Sequence, residues 1–307
     1  MVGRLRDALR EIRLHAGEPH WWKSRYEHRL VASVQQRLYG NEGIKVTDRD
    51  WDNLIVLDAC RTDLFEEVLG TGQFDQYERV RSLGGSTPEW VQRNFVGEQF
   101  GDIVYVSGNP QVSKYAGDAF HDLIEVWDGQ FDDEHRTVLP EDMTEAALAA
   151  SERYPNKRLI IHYMQPHTPF LDRESMFPAN HNVTKELIDA SKEELKTMID
   201  EVGRENVWAA YRRTLEIAAD PVERLVSGLS GKTVLSSDHG ELFGERTPPF
   251  YTRLYGHKTG IRYPKLVDVP WAVVEGDRRR QIVDERTTHT QSDSDKIEER
   301  LTMLGYK

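Results

Sequence analysis

Short apolar runs, each ending in a polar residue, recur along the chain and alternate with stretches of helical periodicity. Asn53-Leu-Ile-Val-Leu-Asp58, Asp102-Ile-Val-Tyr-Val-Ser107, Arg158-Leu-Ile-Ile-His-Tyr163 and Lys232-Thr-Val-Leu-Ser236 have this form. Runs of that length and character predict strands buried on both faces of a parallel sheet. Val269 to Val274 reads as a further strand. Helical patterns lie between them. Thr62 to Leu69 follows the first strand, with Thr62 as a cap, and Pro140 to Arg153 opens with Pro and two acids. Residues 184–229 form a long helical pattern interrupted near Gly203 and Pro221, and residues 292–304 a closing helix. Strands alternating with helices predict an α/β fold, a mostly parallel sheet with helices on both faces. In such a fold ligands bind beyond the carboxyl ends of the strands. Residues 1–50 read as a helical lead-in, with Trp21 and Trp22 packed on the main body, and residues 51–307 as the main domain.

Composition narrows the classes. With 307 residues, 38% hydrophobic and 30% charged, the chain has ample length for a buried core and reads as globular. No apolar run reaches the ~18–20 residues that span a bilayer, and the N-terminus lacks the apolar stretch of a secretory signal. Arg4, Arg6, Arg10 and Arg13 interleave with Leu5, Leu9 and Ile12, a pattern for a helix covering the domain or touching a membrane surface peripherally. A net charge of -12 argues against nucleic acid as a partner. Cys60 is the one cysteine, so no intrachain disulfide forms; this suits a cytoplasmic location.

Five segments carry candidate chemistry, and three of them sit where predicted strands end. Asp58 closes the first strand, where a carboxylate reaches a metal or caps the next helix; Arg61 just after it clamps an anion or pairs with Asp63 or Glu66. Ser236-Ser-Asp238-His239-Gly240-Glu241 offers a hard oxygen and an imidazole from one turn, a donor mix for a divalent ion. Glu241 would orient a ligand from behind. Gly84-Gly-Ser86-Thr87-Pro88 is a rigid turn opening a helix, where a hydroxyl beside a metal is an activated nucleophile or simply a cap. His162 and His167 follow the third strand, and His257 with Lys258 lies in a Tyr- and Gly-rich loop; either of His167 and His257 suits a metal or an ester oxygen.

In this order the segments resemble the alkaline phosphatase superfamily, in particular its sulfatase-like branch. The resemblance runs from about Asn53 to Val274 and implies a three-layer α/β/α sandwich with a mostly parallel central sheet. It implies a metal set of Asp58, Asp238 and His239 with the Ser86 oxygen, for Mn²⁺, Zn²⁺, Mg²⁺ or Ca²⁺. Ser86 stands where sulfatases carry the residue that becomes formylglycine, with Thr87 the alternative nucleophile and a cap otherwise. His167, His257 and Lys258 would hold the ester oxygens, or the histidines a second metal. Departures from the sulfatase pattern are Ala59, Trp90 and His239. They favour an enzyme resembling the lipoteichoic acid synthase and phosphoethanolamine transferase branches. The expected activity is metal-dependent hydrolysis or transfer of phosphate mono- or diesters, on a small-molecule, glycan- or lipid-linked substrate. A sulfatase, or a non-catalytic anion- or glycan-binding protein on the same fold, is the alternative.

Overall fold

The computed structural model describes Gly17, residues 30–172, Met176, and residues 195–285 and 294–304. The basic N-terminal pattern, Trp21, Trp22 and residues 184–194 of the long helical pattern lie outside them. In chain order the principal elements are α1 (Ala32–Tyr39), β1 (Asn53–Leu57), α2 (Thr62–Val68), β2 (Gln76–Arg81), α3 (Thr87–Phe95), β3 (Phe100–Ser107), α4 (Pro110–Ala116) and β4 (Phe120–Glu125). There follow α5 (Val126–Gly129), β5 (Phe131–Asp132), β6 (Thr137–Val138), α6 (Pro140–Arg153), β7 (Arg158–Tyr163), α7 (Leu195–Val202) and α8 (Arg204–Gly228). The chain closes through β8 (Thr233–Ser236), β9 (Leu242–Thr247), β10 (Thr252–Gly256), α9 (Pro264–Val267), β11 (Asp268–Val274) and α10 (Ser294–Met303).

Seven strands form the central sheet in the order β2-β11-β8-β1-β7-β3-β4. The β8-β1-β7-β3-β4 block is parallel throughout, and β11 runs antiparallel to both of its neighbours. Every residue of β1 is buried, and alternate side chains enter opposite cores. Ile55 and Leu57 join Leu64, Phe65, Met143, Ala147, Tyr211 and Leu225 of α2, α6 and α8, whereas Leu54 and Val56 join Trp90, Val91, Phe95, Val112 and Ala116 of α3 and α4. The result is the expected three-layer α/β/α sandwich. Each fully buried aliphatic side chain of β1 contributes about 1.5–3 kcal/mol of transfer free energy, which is why the central run specifies its own place.

Several local expectations differ from the structure. Thr62 does not cap α2: its hydroxyl donates to Asp268 O at 2.6 Å, tying the helix to β11, and Arg61 occupies the N-cap position with no side-chain bond to the helix's first amides. Gly203, at φ +89°, does separate α7 from α8, whereas α8 runs unbroken through the buried Pro221. A proline forfeits one helical hydrogen bond; here packing against the sheet holds the helix together across it. Strands β2 and β4 and the β9–β10 hairpin carry no apolar run and are additions.

Candidate active site

Functional side chains converge where the parallel strands end. Asp58 follows β1, Asn109 follows β3, His162 is near the end of β7, and Asp238 and His239 follow β8. This is the crevice where strand β1 has neighbours connected in opposite directions, the usual place for a ligand in such sheets. The backbone is shaped around it. Ala59 is held at φ +57°, a region costly for a residue with a Cβ. Its amide donates to Asp238 Oδ1 at 3.0 Å, and its carbonyl accepts from Tyr211 at 2.5 Å. The left-handed turn thus swings the chain past Asp58 and links the β1 and β8 ends directly. Gly240 is needed next to it, because a Cβ there would lie 2.3 Å from Lys265 O.

Thr87 opens α3 and is fully buried. Its hydroxyl lies 2.7 Å from Asp238 Oδ2, 3.2 Å from His239 Nε2 and 3.5 Å from Asp58 Oδ2. Ser86 precedes the helix in extended backbone (φ -162°, ψ 155°) and turns the other way, its hydroxyl 2.8 Å from that of Thr259. Adjacent side chains at a helix start diverge by about 100°, and the phase found here brings Thr87, not Ser86, to the acidic pair. The Thr87 oxygen, and not the expected Ser86 oxygen, thus lies beside Asp58 and Asp238, and Ser86, not Thr87, stands at the N-cap position.

The donor set suits a cation. Asp58 Oδ1 and His162 Nε2 are buried without a hydrogen-bond partner. His162 Nε2 stands 3.4 Å from Asp58 Oδ2 and 3.9 Å from Asp238 Oδ2, and its Nδ1 is 2.8 Å from the Tyr105 hydroxyl. His239 Nδ1 donates to Gly240 O at 2.8 Å, which leaves Nε2 of the neutral ring as a lone pair facing Thr87 and Asp238. Two carboxylates this close and this buried repel each other unless positive charge lies between them. Burial would raise the Asp58 carboxyl, but the neighbouring imidazoles of His162, His167 and His239 hold it well below the usual carboxylate range. Asn109 Nδ2 donates to Asp58 Oδ2 at 2.6 Å and fixes its orientation.

A second group of three, His167, Glu241 and His257, offers donor atoms within 4.8 Å of one another. The His257 ring lies 4.7 Å from that of His239 and 5.0 Å from that of His167, so the two groups adjoin. His257 Nδ1 is 3.1 Å from Glu241 Oε2. Burial would lower the His257 imidazole, but the Glu241 carboxylate raises it above its ordinary value; burial lowers His167, and Glu241 itself is held low by His257. Ser86, His167 and His257 are less enclosed than Thr87, Asp58 and Asp238, so the group is more open on this side.

Arg61 does not face the site. It is buried, bonded to Asp63 (2.5 Å) and Glu245 (2.7 Å), donates to Glu241 O at 3.2 Å, and stacks on Trp208. Its anion-clamp role gives way to the pairing alternative, because those acids neutralise it within the fold. Lys258 follows His257 in the loop and is partly buried, its carbonyl accepting from Ile261 N. Asn109, Tyr105 and Tyr211 were not anticipated. The strand-end rule that found Asp58 also covers Gly108-Asn109-Pro110; nothing in the sequence marks the two tyrosines.

No family model and no curated protein matches the sequence. Solved structures do. One is the integral membrane protein lipooligosaccharide phosphoethanolamine transferase A (EptA) from Neisseria meningitidis, at TM-score 0.47 and 15% identity, covering 73% of this chain and 47% of that one. Another is the C-terminal periplasmic domain of EptC from Escherichia coli in complex with Zn, at 0.46 and 11%, covering 77% and 76%. A third is BT1596, a 2-O GAG sulfatase, at 0.45 and 9%, covering 82% and 70%. At these identities the likeness concerns the path of the chain and not its chemistry, and the chain spans about half the length of EptA, 47%. Among the described residues no helix is long and apolar enough to cross a membrane.

Proposed function

We propose that the chain is a metal-dependent enzyme that hydrolyses or transfers phosphate esters, with Thr87 as the nucleophile. The observation that carries this is the Thr87 hydroxyl 2.7 Å from Asp238 and 3.2 Å from His239, in a buried donor set with Asp58. Asp58, Asp238, His239 and Thr87 would hold a divalent ion, with His162 Nε2 facing both carboxylates as a further donor. Such an ion supplies Lewis acidity, lowering the hydroxyl pKa and neutralising a substrate oxygen. Thr87 attacks phosphorus in line with the departing alcohol and takes the phosphoryl group. Asn109 keeps Asp58 in orientation throughout. His257, paired with Glu241, faces the charge that gathers on the ester oxygens, and His167 flanks it. Water arriving on the vacated side completes hydrolysis; an alcohol completes transfer.

A threonine at this place also bears on phosphate against sulfate. Formylglycine is an aldehyde made from cysteine or serine, and the residue facing the acids here is neither. Trp90 is buried in the α3–α4 core beside His162. The experiment is a turnover screen of aryl phosphate mono- and diesters and aryl sulfates with Mn²⁺, Zn²⁺, Mg²⁺ and Ca²⁺ supplied separately, followed by acid quench and mapping of the phosphopeptide. Phosphate on Thr87 is the expected result. Preference for aryl sulfate, or phosphate on Ser86 alone, would overturn the assignment.

A further inference from the structure

The loop that carries His257 is bound to the turn that carries Thr87 by three separate ties. Glu89, in the first turn of α3, accepts from Gly85 N at 2.9 Å and, with the same Oε2, from Gly260 N at 2.9 Å. Ser86 Oγ lies 2.8 Å from Thr259 Oγ1. Arg262 donates to Leu83 O at 2.9 Å and Ser82 O at 2.8 Å. The backbones touch: a Cβ on Gly85 would stand 2.6 Å from Ile261 O and 2.8 Å from Lys258 O. His257 is the first residue after β10, three residues before the Gly260 amide that Glu89 holds.

A carboxylate in the first turn of a helix is ordinarily satisfied by that helix's own amides. Glu89 spends half of its Oε2 contacts on a residue 171 positions away. We propose that Glu89 is a positioning residue that sets the place of His257 relative to Thr87; this rests on the phosphoryl-transfer role given to those two residues. Glu89 touches no reacting atom. Loss of its carboxylate frees Gly260 N and lets the 257–261 loop move away from the nucleophile turn. His257 then shifts relative to the charge it faces, and a displacement near 1 Å costs on the order of 100-fold in rate.

The test uses the full chain with divalent metal and bis(4-nitrophenyl) phosphate as probe. Glu89→Ala is expected to lower kcat about 10- to 100-fold with KM within about threefold. Glu89→Gln, whose amide oxygen retains both acceptor contacts, is expected to restore kcat to within about threefold. Hydrogen exchange of residues 256–263 should rise about tenfold in Glu89→Ala and stay unchanged in Glu89→Gln. Thr259→Val, which breaks a second tie without touching Glu89, should give a smaller change of the same kind and guards against a Glu89→Ala that does not fold. An unchanged kcat in Glu89→Ala overturns the proposal, as does a Gln variant no better than Ala, or faster exchange confined to α3. If the wild type turns over no ester, the proposed function fails on its own, and the exchange measurements still decide whether Glu89 holds the loop.

Discussion

Ser86 and Thr87 carry the same functional group one position apart, and the helix phase separates them. Sequence spacing to Pro88 pointed to Ser86; what distinguishes the two is where extended backbone gives way to α3, and that boundary falls between them. Asp58, Asp238 and His239 were legible because strand ends can be read from apolar runs. The choice of hydroxyl was not, because boundary positions are the least determined part of a sequence pattern. Thr87→Val is therefore expected to abolish phosphodiester turnover, by about 10³-fold or more, while Ser86→Ala stays within about tenfold; steady-state kinetics decide, and equal losses would return Ser86 to contention. Arg61 leads to a different measurement. Its charge meets Glu245, which is 10% exposed, and removal takes from that carboxylate its shortest ion pair, leaving Arg204 at 3.7 Å and Lys265 at 4.0 Å. Arg61→Ala should destabilise the fold by about 3 kcal/mol, seen in urea denaturation; unchanged stability with weakened substrate binding would restore the anion-clamp role. His257 and Glu241 predict a pH dependence. His257 is raised by its partner, so its stabilisation is complete below the ordinary imidazole value and fades as pH rises through the folded value. Glu241 is lowered, so its share is present above the ordinary carboxyl value and fades as pH falls through the folded one. The pair thus contributes most between roughly pH 4.3 and 6.5. Metal-stripped protein should lose melting temperature from about pH 6 to 8, and His257→Gln should flatten that slope in thermal scans.

At the scale of elements, burial decided what could be read. β1 and β7 were found from buried apolar runs, and the Pro140–Arg153 helix from its proline start and acidic first turn. β2 reads Gln-Tyr-Glu-Arg-Val-Arg, with one buried residue, Val80, because it lies at the sheet margin and its ladder bonds run to β11 alone. β4 lies at the other margin and buries Phe120 alone. Edge strands place charge toward solvent, which erases the apolar signature that marks central strands. The β9–β10 hairpin lacks an Asn-Gly or Asp-Gly turn and uses Pro248 and Pro249 instead, so the usual hairpin signal was missing. Gly203 was legible as a break, and its φ of +89° with ψ of 150° shows why: side chains are excluded from that conformation. Gly203→Ala should cost about 1–3 kcal/mol by chemical denaturation; a neutral substitution would mean that the α7–α8 junction relaxes freely.

For the whole molecule, the sheet acts as a frame that gathers donors from residues 58, 87, 238 and 239. A divalent ion that binds them only in the folded chain should raise stability by about 2.7 kcal/mol at a hundredfold excess over its Kd. Chelated protein should accordingly show a higher melting temperature when Zn²⁺ or Mn²⁺ is restored, and Asp238→Asn should lose most of that rise. An identical shift in the variant would move the ion elsewhere. The gathering also has a kinetic side. Asp58 and Asp238 are brought together by β1 pairing with β8 across 180 positions of chain, in register from Asn53 with Thr233, and Thr87 joins them from a turn beyond the edge strand β2. Parallel pairings of such sequence separation form late, since loop closure must precede any contact energy. Nascent chains ending before about residue 240 therefore lack half of the acidic pair, and refolding chains acquire a cation's full ligand set only when the centre of the sheet has closed. Uptake of the ion then serves as a clock for the last stage of folding, with early collapsed states invisible to it.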